Sequence, residues 1–252
     1  SETIIGKWLR KTHKRDAIVL ATKVGMEMSR EKTGLKPHYI RQAVEDSLKR
    51  LQTDYIDLYQ AHRDDRDTPL EETLATFDKL IKEGKVRAIG ASNYSADRLQ
   101  TALDISKRNG IARYETLQPE YNLYDRTDYE SGLEQVAREA GLGVISYYSL
   151  ASGFLSGKYR SPADAGKSPR GEKVVGQYLN PRGMKLLEAL DSVGRAHQVS
   201  PAQVALAWLM ARPGMTAPIA SATSLQQIED LAGAMRLTLS AEEIVLLNDA
   251  SR

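Results

Sequence analysis

Apolar positions in this chain follow two alternating rhythms: short runs rich in branched residues, and longer stretches where apolar residues recur every three or four positions. The short runs predict six strands, over residues 17–24, 55–62, 86–93, 114–121, 143–149 and 217–222. The longer stretches predict helices with readable ends. Pro37 suits a first helical position ahead of Ile40, Val44, Leu48 and Leu51, and Pro69 repeats the device before Leu70, Leu74, Phe77 and Ile81, with Gly84 able to stop that helix in a left-handed conformation. Ser95 can cap a helix carrying Leu99 and Leu103 that stops near Gly110, and Leu133, Val136 and Ala140 mark another ending at Gly141. Ser200 and Pro201 form a cap and first-turn pair before Val204, Leu206, Trp208 and Leu209, while Ser240 with Glu243 has capping-box spacing before a last helix.

Strand and helix in turn, without hairpin signals, call for a parallel sheet covered by helices, either open and doubly wound or closed into a barrel. The residues after Val24 are Gly25-Met26-Glu27-Met28, and no glycine-rich phosphate fingerprint follows any strand, so the open nucleotide-binding sheet loses its main support. The expected fold is α/β, a (β/α)8 TIM barrel in which residues 1–252 form one domain. The glycine- and proline-rich stretch 156–180 reads as a long functional loop or lid.

Composition narrows the function. With 41% hydrophobic and 27% charged residues the chain is of ordinary globular make-up, neither disordered nor fibrous. The net charge of +2 is too balanced for a sequence-independent nucleic-acid binder, and no apolar run approaches a membrane span, so neither nucleic acid nor membrane is an expected partner. The absence of cysteine excludes disulfides and thiol catalysis and fits a cytoplasmic setting. Four histidines, at 13, 38, 62 and 197, show no ligand spacing, which leaves metal chemistry the weaker alternative although Asp64, Asp65 and Asp67 follow His62.

In a parallel barrel the active site lies where strands end, and polar groups end each predicted strand here. They are Lys23, His62, Ser92-Asn93, Gln118 with Glu120 and Asn122, Tyr147-Tyr148-Ser149, and Ser221 to Ser224. Each also has an ordinary reading. Lys23 could be a snorkelling or salt-bridged lysine paired with Asp57 or Glu120, His62 a structural histidine, Ser92-Asn93 a turn, Gln118 a core amide, and Tyr147-Tyr148 aromatic packing. The run Arg63-Asp64-Asp65-Arg66-Asp67 reads as a solvated loop or as one wall of a substrate mouth. Joint placement on one rim favours a site.

Several strings, in this order, resemble the aldo-keto reductases, in particular the branch with bacterial reductases and potassium-channel β-subunit-like proteins. They are Ser1-Glu2-x-x-Ile5-Gly6, Thr22-Lys23-Val24, Asp57-Leu58-Tyr59-Gln60-x-His62, Gly84-Lys85-Val86-Arg87-x-Ile89-Gly90-x-Ser92-Asn93, Gln118-Pro119-Glu120-Tyr121-Asn122 and the segment from Leu150 to Tyr159. The resemblance spans the chain and implies hydride transfer between a nicotinamide dinucleotide and an aldehyde, ketone or alcohol by a tetrad of Asp, Tyr, Lys and His. Lys23 matches the lysine and His62 the histidine. The Asp and the acid–base Tyr are expected upstream of Ser1. Six βα units leave an eight-stranded barrel two short, about 60 residues at roughly 30 per unit, so the natural chain is expected to be longer, with its first one or two strands outside these residues. Residues 1–252 alone are then expected to be a poor reductase.

By the same resemblance Ser92, Asn93 and Gln118 would hold the nicotinamide carboxamide, and Tyr147 would stack on its ring. Leu150, Ser152, Gly153, Leu155 and Lys158 would border the pyrophosphate, and Ser221, Thr223, Gln227 and Asp230 would meet the adenosine end. Two departures stand out: Leu231 replaces a common Asn, and no Lys or Arg lies between Arg212 and Arg236 to clamp the extra phosphate of NADP. Gln227, Thr223 and Arg170 can substitute, so NADP(H) is the expected cofactor, with NAD(H) the alternative. A third departure is Tyr148-Ser149, where a Ser-Pro pair is common. Two other functions compete: a Schiff-base aldolase using Lys23, and a non-catalytic NADP(H)-sensing subunit. Substrate and oligomeric state are not legible.

Overall fold

The computed structural model, which describes residues 1–29 and 32–252, turns the sequence alternation into parallel strands separated by helices. Contacts divide it into two compact units, Ser1–Gln118 with Gln135–Leu142, and Pro119–Glu134 with Gly143–Arg252.

In the first unit α1 (Glu2–Thr12), β1 (Ala21–Val24), α2 (Pro37–Leu51), β2 (Ile56–Ala61), α3 (Leu70–Lys82), β3 (Val86–Ser92), α4 (Ala96–Asn109), β4 (Tyr114–Gln118) and α5 (Glu134–Glu139) follow in order, and β1 to β4 pair parallel, each with the next. Helix ends follow local chemistry. Ser95 Oγ accepts the Arg98 N–H at 3.4 Å, and Gly84, Gly110 and Gly141 take φ of 74°, 60° and 63° after their helices. Pro69 differs from expectation in standing just before α3 rather than as its first residue.

β1 begins at Ala21, four residues later than expected, because Arg15–Ala17 forms a 3₁₀ turn. The Arg15 guanidinium fixes that turn by donating to Tyr55 O at 2.8 Å and Thr53 Oγ1 at 2.9 Å. Asp57 on β2 gathers this edge: it accepts the Leu20 N–H at 2.9 Å and pairs with Arg15 and Arg87, each at 2.8 Å. Burial alone would raise its pKa, but the Leu20 N–H, Arg15 and Arg87 outweigh that and hold the carboxyl below its usual range. A depressed folded pKa contributes stability that is present above the unfolded value and lost as pH falls through the folded one. Asp57→Asn is therefore expected to cost about 2–3 kcal/mol at neutral pH, and to leave an acid-melting curve shallower than the wild type's.

The strands of this unit have two unlike faces. Tyr59, Ala61, Ile89, Ala91 and Leu117 are buried and apolar, and Tyr59 meets Phe77 of α3 edge-on at 5.7 Å. Lys23 pairs in register with Gln60, Gln60 with Gly90, Gly90 with Thr116, and Ser92 with Gln118, so the alternate positions form a polar face. A register shift makes Tyr114 the partner of Ile89 while Thr116 pairs with Gly90, turning Tyr114 to the apolar side. There its hydroxyl lies 3.0 Å from that of Tyr94. A Cβ on Gly90 would collide with Thr116 Oγ1, which explains glycine in the middle of a strand.

The second unit holds β5 (Gly143–Ser146), α6 (Gly171–Tyr178), α7 (Pro181–His197), α8 (Pro201–Met210), β6 (Met215–Pro218), α9 (Leu225–Gly233) and α10 (Ala241–Ala250), with β5 and β6 parallel. Its core packs Tyr121 against Tyr129 and Trp208, with ring centroids 4.6 and 5.6 Å apart. Trp208 Nε1 and Arg126 both donate to Asn248 Oδ1 at 3.1 Å, docking α10. The expected capping box at Ser240 is formed, and the cap expected at Ser200 is also a full box, with Gln203.

Two expectations change here. Strand six runs Met215–Pro218, not 217–222: Thr216 Oγ1 accepts the Val144 N–H, and the strand ends on a proline, leaving Ser221 to Ser224 beyond it. The stretch 156–180 is not a bare loop. Pro162–Lys167 forms a capped 3₁₀ segment and α6 follows, with Gly171 so close to the Ala165 carbonyl that a Cβ would overlap it.

Candidate active site

Within the first unit, Lys23 is the penultimate residue of β1 and His62 directly follows β2, where its N–H donates to Val24 O at 2.8 Å. Both side chains leave the polar face at the carboxyl ends of neighbouring strands. Asp57, one expected partner for Lys23, is taken by Arg15 and Arg87, and among the described residues Lys23 has no carboxylate within salt-bridge distance. The other, Glu120, belongs to the second unit and binds Tyr147 there. Burial lowers the Lys23 pKa. The His62 pKa is also lowered, first by burial, then by the charges of Lys23 and Arg63, so the imidazole is neutral through physiological pH and carries one N–H donor.

Ser92, Asn93 and Gln118 join this group through hydrogen bonds. Ser92 Oγ donates to Gln118 O at 2.8 Å and accepts from Asn93 Nδ2 at 3.1 Å, while Asn93 Nδ2 also donates to His62 O at 2.9 Å. Asn93 has φ 55°, a left-handed conformation that Asn tolerates well. Gln118 Nε2 donates to Gln60 Oε1 at 3.3 Å, so Gln60, which has no expected role, braces it. The available signal is Gln60's position two residues before His62, on the same face of an apolar strand.

In the second unit the Tyr147 N–H donates to Pro119 O at 2.9 Å, and its ring meets that of Tyr148 edge-on at 5.2 Å. Asn122 secures the turn that follows: its Nδ2 donates to Tyr148 O at 3.0 Å, and its Oδ1 accepts the N–H groups of Tyr124 and Asp125. Next come Leu150 and a tight turn over Ala151–Ser156, in which Ala151, Ser152 and Gly153 take φ of 48°, 55° and 95°. Leu155 is buried, and its N–H returns to Leu150 O at 3.2 Å. A Cβ on Gly153 would stand 3.3 Å from Lys158 Nζ, so glycine there leaves the ammonium room beside the turn. The N–H groups of Ala151 and Gly153 also bond within the turn, to Tyr148 O at 2.7 Å and Leu150 O at 2.8 Å, so the group here that fits a pyrophosphate is the exposed Lys158 ammonium.

The remaining predicted cofactor residues do not join this turn through any hydrogen bond or ion pair among the described residues. Arg170 is exposed just ahead of α6, and Ser221 is exposed beyond β6. Thr223 donates through its N–H and Oγ1 to Gln227 Oε1 at 2.8 and 3.1 Å, and Asp230 accepts from Gln226 at 3.3 Å. No helix among the described residues is long and apolar enough to cross a membrane.

Comparison with known proteins agrees with this geometry. The model of the family described as "Aldo/keto reductase family" matches residues 1–252. The chain is 36% identical to "Uncharacterized oxidoreductase YrpG" of Bacillus subtilis over 257 residues, covering 99% of this chain and 77% of that one. It is 34% identical to "Aldo-keto reductase str7" of Strobilurus tenacellus, covering 97% and 71%, and 32% identical to "Aldo-keto reductase yakc [NADP(+)]" of Schizosaccharomyces pombe, covering 99% and 74%.

Proposed function

The chain belongs to the aldo/keto reductase family, and from that premise we propose that it is an oxidoreductase transferring hydride between NADP(H) and an aldehyde, ketone or alcohol. The observation that carries this reading is that Lys23 and His62 leave one polar face at the carboxyl ends of paired strands, with no carboxylate among the described residues within salt-bridge distance of Lys23.

Each residue has a task that follows from its surroundings. His62 donates its imidazole N–H to the substrate oxygen, where negative charge gathers during reduction. Being neutral, it keeps that donor without adding a second cation beside Lys23. Lys23 stabilises the anionic form of the family's acid–base tyrosine, lowering a phenolic pKa from about 10 toward neutrality. Nicotinamide, when bound, supplies the hydride. In the first unit Ser92, Asn93 and Gln118 hold its carboxamide. In the second, Tyr147 stacks on the ring, Leu150, Ser152, Gly153, Leu155 and Lys158 border the pyrophosphate, and Ser221, Thr223, Gln227 and Asp230 meet the adenosine end, with Arg170 drawn to the extra phosphate. The NADP(+) in the name of one relative supports NADP(H) over NAD(H). The cysteine-free composition fits a cytoplasmic enzyme.

The test is oxidation of NADPH in the presence of a panel of small aldehydes and ketones, by the chain extended at its N-terminus to include the expected Asp and Tyr, with residues 1–252 alone as the slow comparison. Carbonyl-dependent loss of absorbance, faster with NADPH than with NADH, is the expected result. Borohydride trapping of a substrate on Lys23 would instead make the protein an aldolase, and tight NADPH binding without turnover of any carbonyl would make it a sensor.

A further inference from the structure

We infer that Glu120 is a positioning residue, holding the ring of Tyr147 in the orientation that stacking requires; this rests on the reading above that Tyr147 faces the nicotinamide. Glu120 and Tyr147 form an isolated parallel β-bridge. The Tyr147 N–H donates to Pro119 O at 2.9 Å and the Tyr147 carbonyl accepts the Tyr121 N–H at 3.4 Å, so the backbone grips Tyr147 on both sides of Glu120. Bridge partners in a parallel pair project to the same side. There the Tyr147 hydroxyl donates to the Glu120 carboxylate. A tyrosine fixed only at its backbone can still change rotamer; one held also at its hydroxyl cannot do so without breaking a charge-assisted hydrogen bond.

The carboxylate is held against opposing electrostatics. Glu120 is half-buried, and burial, then the charges of Asp125 and Asp128, raise its pKa, while the Tyr147 hydroxyl and Lys173 act in the other direction. A residue that only filled space would not need a charge there. The neighbouring Tyr148 is fixed separately, through its carbonyl, by Asn122. Glu120 and Asn122 thus divide the work: one orients the ring of Tyr147, the other the turn after it.

The test compares affinity for NADPH with affinity for 2′-phospho-ADP-ribose, which lacks the nicotinamide, in wild type, Glu120→Ala, Glu120→Gln, Tyr147→Phe and Tyr147→Ala. Glu120→Ala is expected to weaken NADPH roughly tenfold, a lost buried hydrogen bond's worth, and to leave the fragment unchanged. Glu120→Gln keeps an acceptor and should restore most of the loss, and Glu120→Ala should add nothing in a Tyr147→Phe background. Equal weakening of both ligands, no change in either, or an undiminished effect without the hydroxyl would overturn the inference. Should Tyr147→Ala fail to change the ratio of the two affinities, the stacking reading itself falls; a large Tyr147→Ala effect with a silent Glu120→Ala removes only the role of Glu120.

Discussion

Replacing Lys23 with methionine is expected to lower kcat for carbonyl reduction by roughly 10²- to 10⁴-fold, the range for losing support of general acid–base catalysis. Methionine keeps the length of the chain and removes only the charge. Because burial already lowers the Lys23 pKa and no carboxylate among the described residues compensates it, the ammonium costs stability in residues 1–252, and Lys23→Met in these residues is expected to melt at or above the wild-type temperature. A salt-bridged structural lysine would give the opposite pairing of effects. Two pH signatures accompany the loss. Wild-type reduction should decline as pH rises through a lysine pKa below the ordinary 10.5, and the variant should lack that limb. Since the charge of Lys23, after burial, helps to lower the His62 pKa, the imidazole should titrate at higher pH in Lys23→Met, which NMR of the ring protons measures directly. An unmoved His62 would mean that the two side chains do not share a site.

The second large effect is on stability. Gly6 lies where α1 crosses the end of α2, and a Cβ there would overlap the Arg50 carbonyl and come within 2.8 Å of the Leu51 carbonyl group. These are backbone atoms, so no rotamer change relieves the clash. Gly6→Val is expected to cost about 3 kcal/mol, or roughly 6–12 °C in Tm for a chain of this size. The consequence reaches the site through Glu2 of α1, which accepts from Thr22 Oγ1 and from Arg50 Nε, both at 2.6 Å. Thr22 immediately precedes Lys23, so displacing α1 loosens the strand that presents the ammonium. A melting point within a degree of wild type would show that the two helices can separate freely there.

What the sequence made legible was chemistry that acts locally. Caps such as Ser95, Ser200 and Ser240 and stops such as Gly84 and Gly110 depend on residues a few positions away, and they appear where expected. Asn180–Pro181, which opens α7, is the same device and lies within reach of the same reasoning. Strand limits depend on distant partners. β1 starts late because Arg15 reaches Tyr55, and β6 is shifted because Thr216 meets Val144. In the stretch 156–180, glycine and proline suggest a loop, yet Pro162 opens a capped turn and Gly171 is there for close packing.

The site divides in the same way. Lys23 and His62 stand out because each ends an apolar run, and the polar face they share follows from a period of two. Glu120 is legible as a rim residue but its pairing with Tyr147 is not, and Gln60 shows no sign of its contact with Gln118, because both pairings exist only through a bridge or the register. The exposed residues beyond β6 are placed by sequence resemblance alone, and their mutual bonds, such as Thr223 to Gln227, are local.

The claim that the Lys23–His62 rim serves hydride transfer is tested most directly with NADPH deuterated on one face of nicotinamide C4, supplied with an aldehyde. One deuterium on the carbinol carbon of each product alcohol, delivered from a single face of the nicotinamide and much more slowly by Lys23→Met, is the predicted result. Product without deuterium whichever face of the NADPH carries the label, or borohydride-stable attachment of the aldehyde to Lys23, would contradict it.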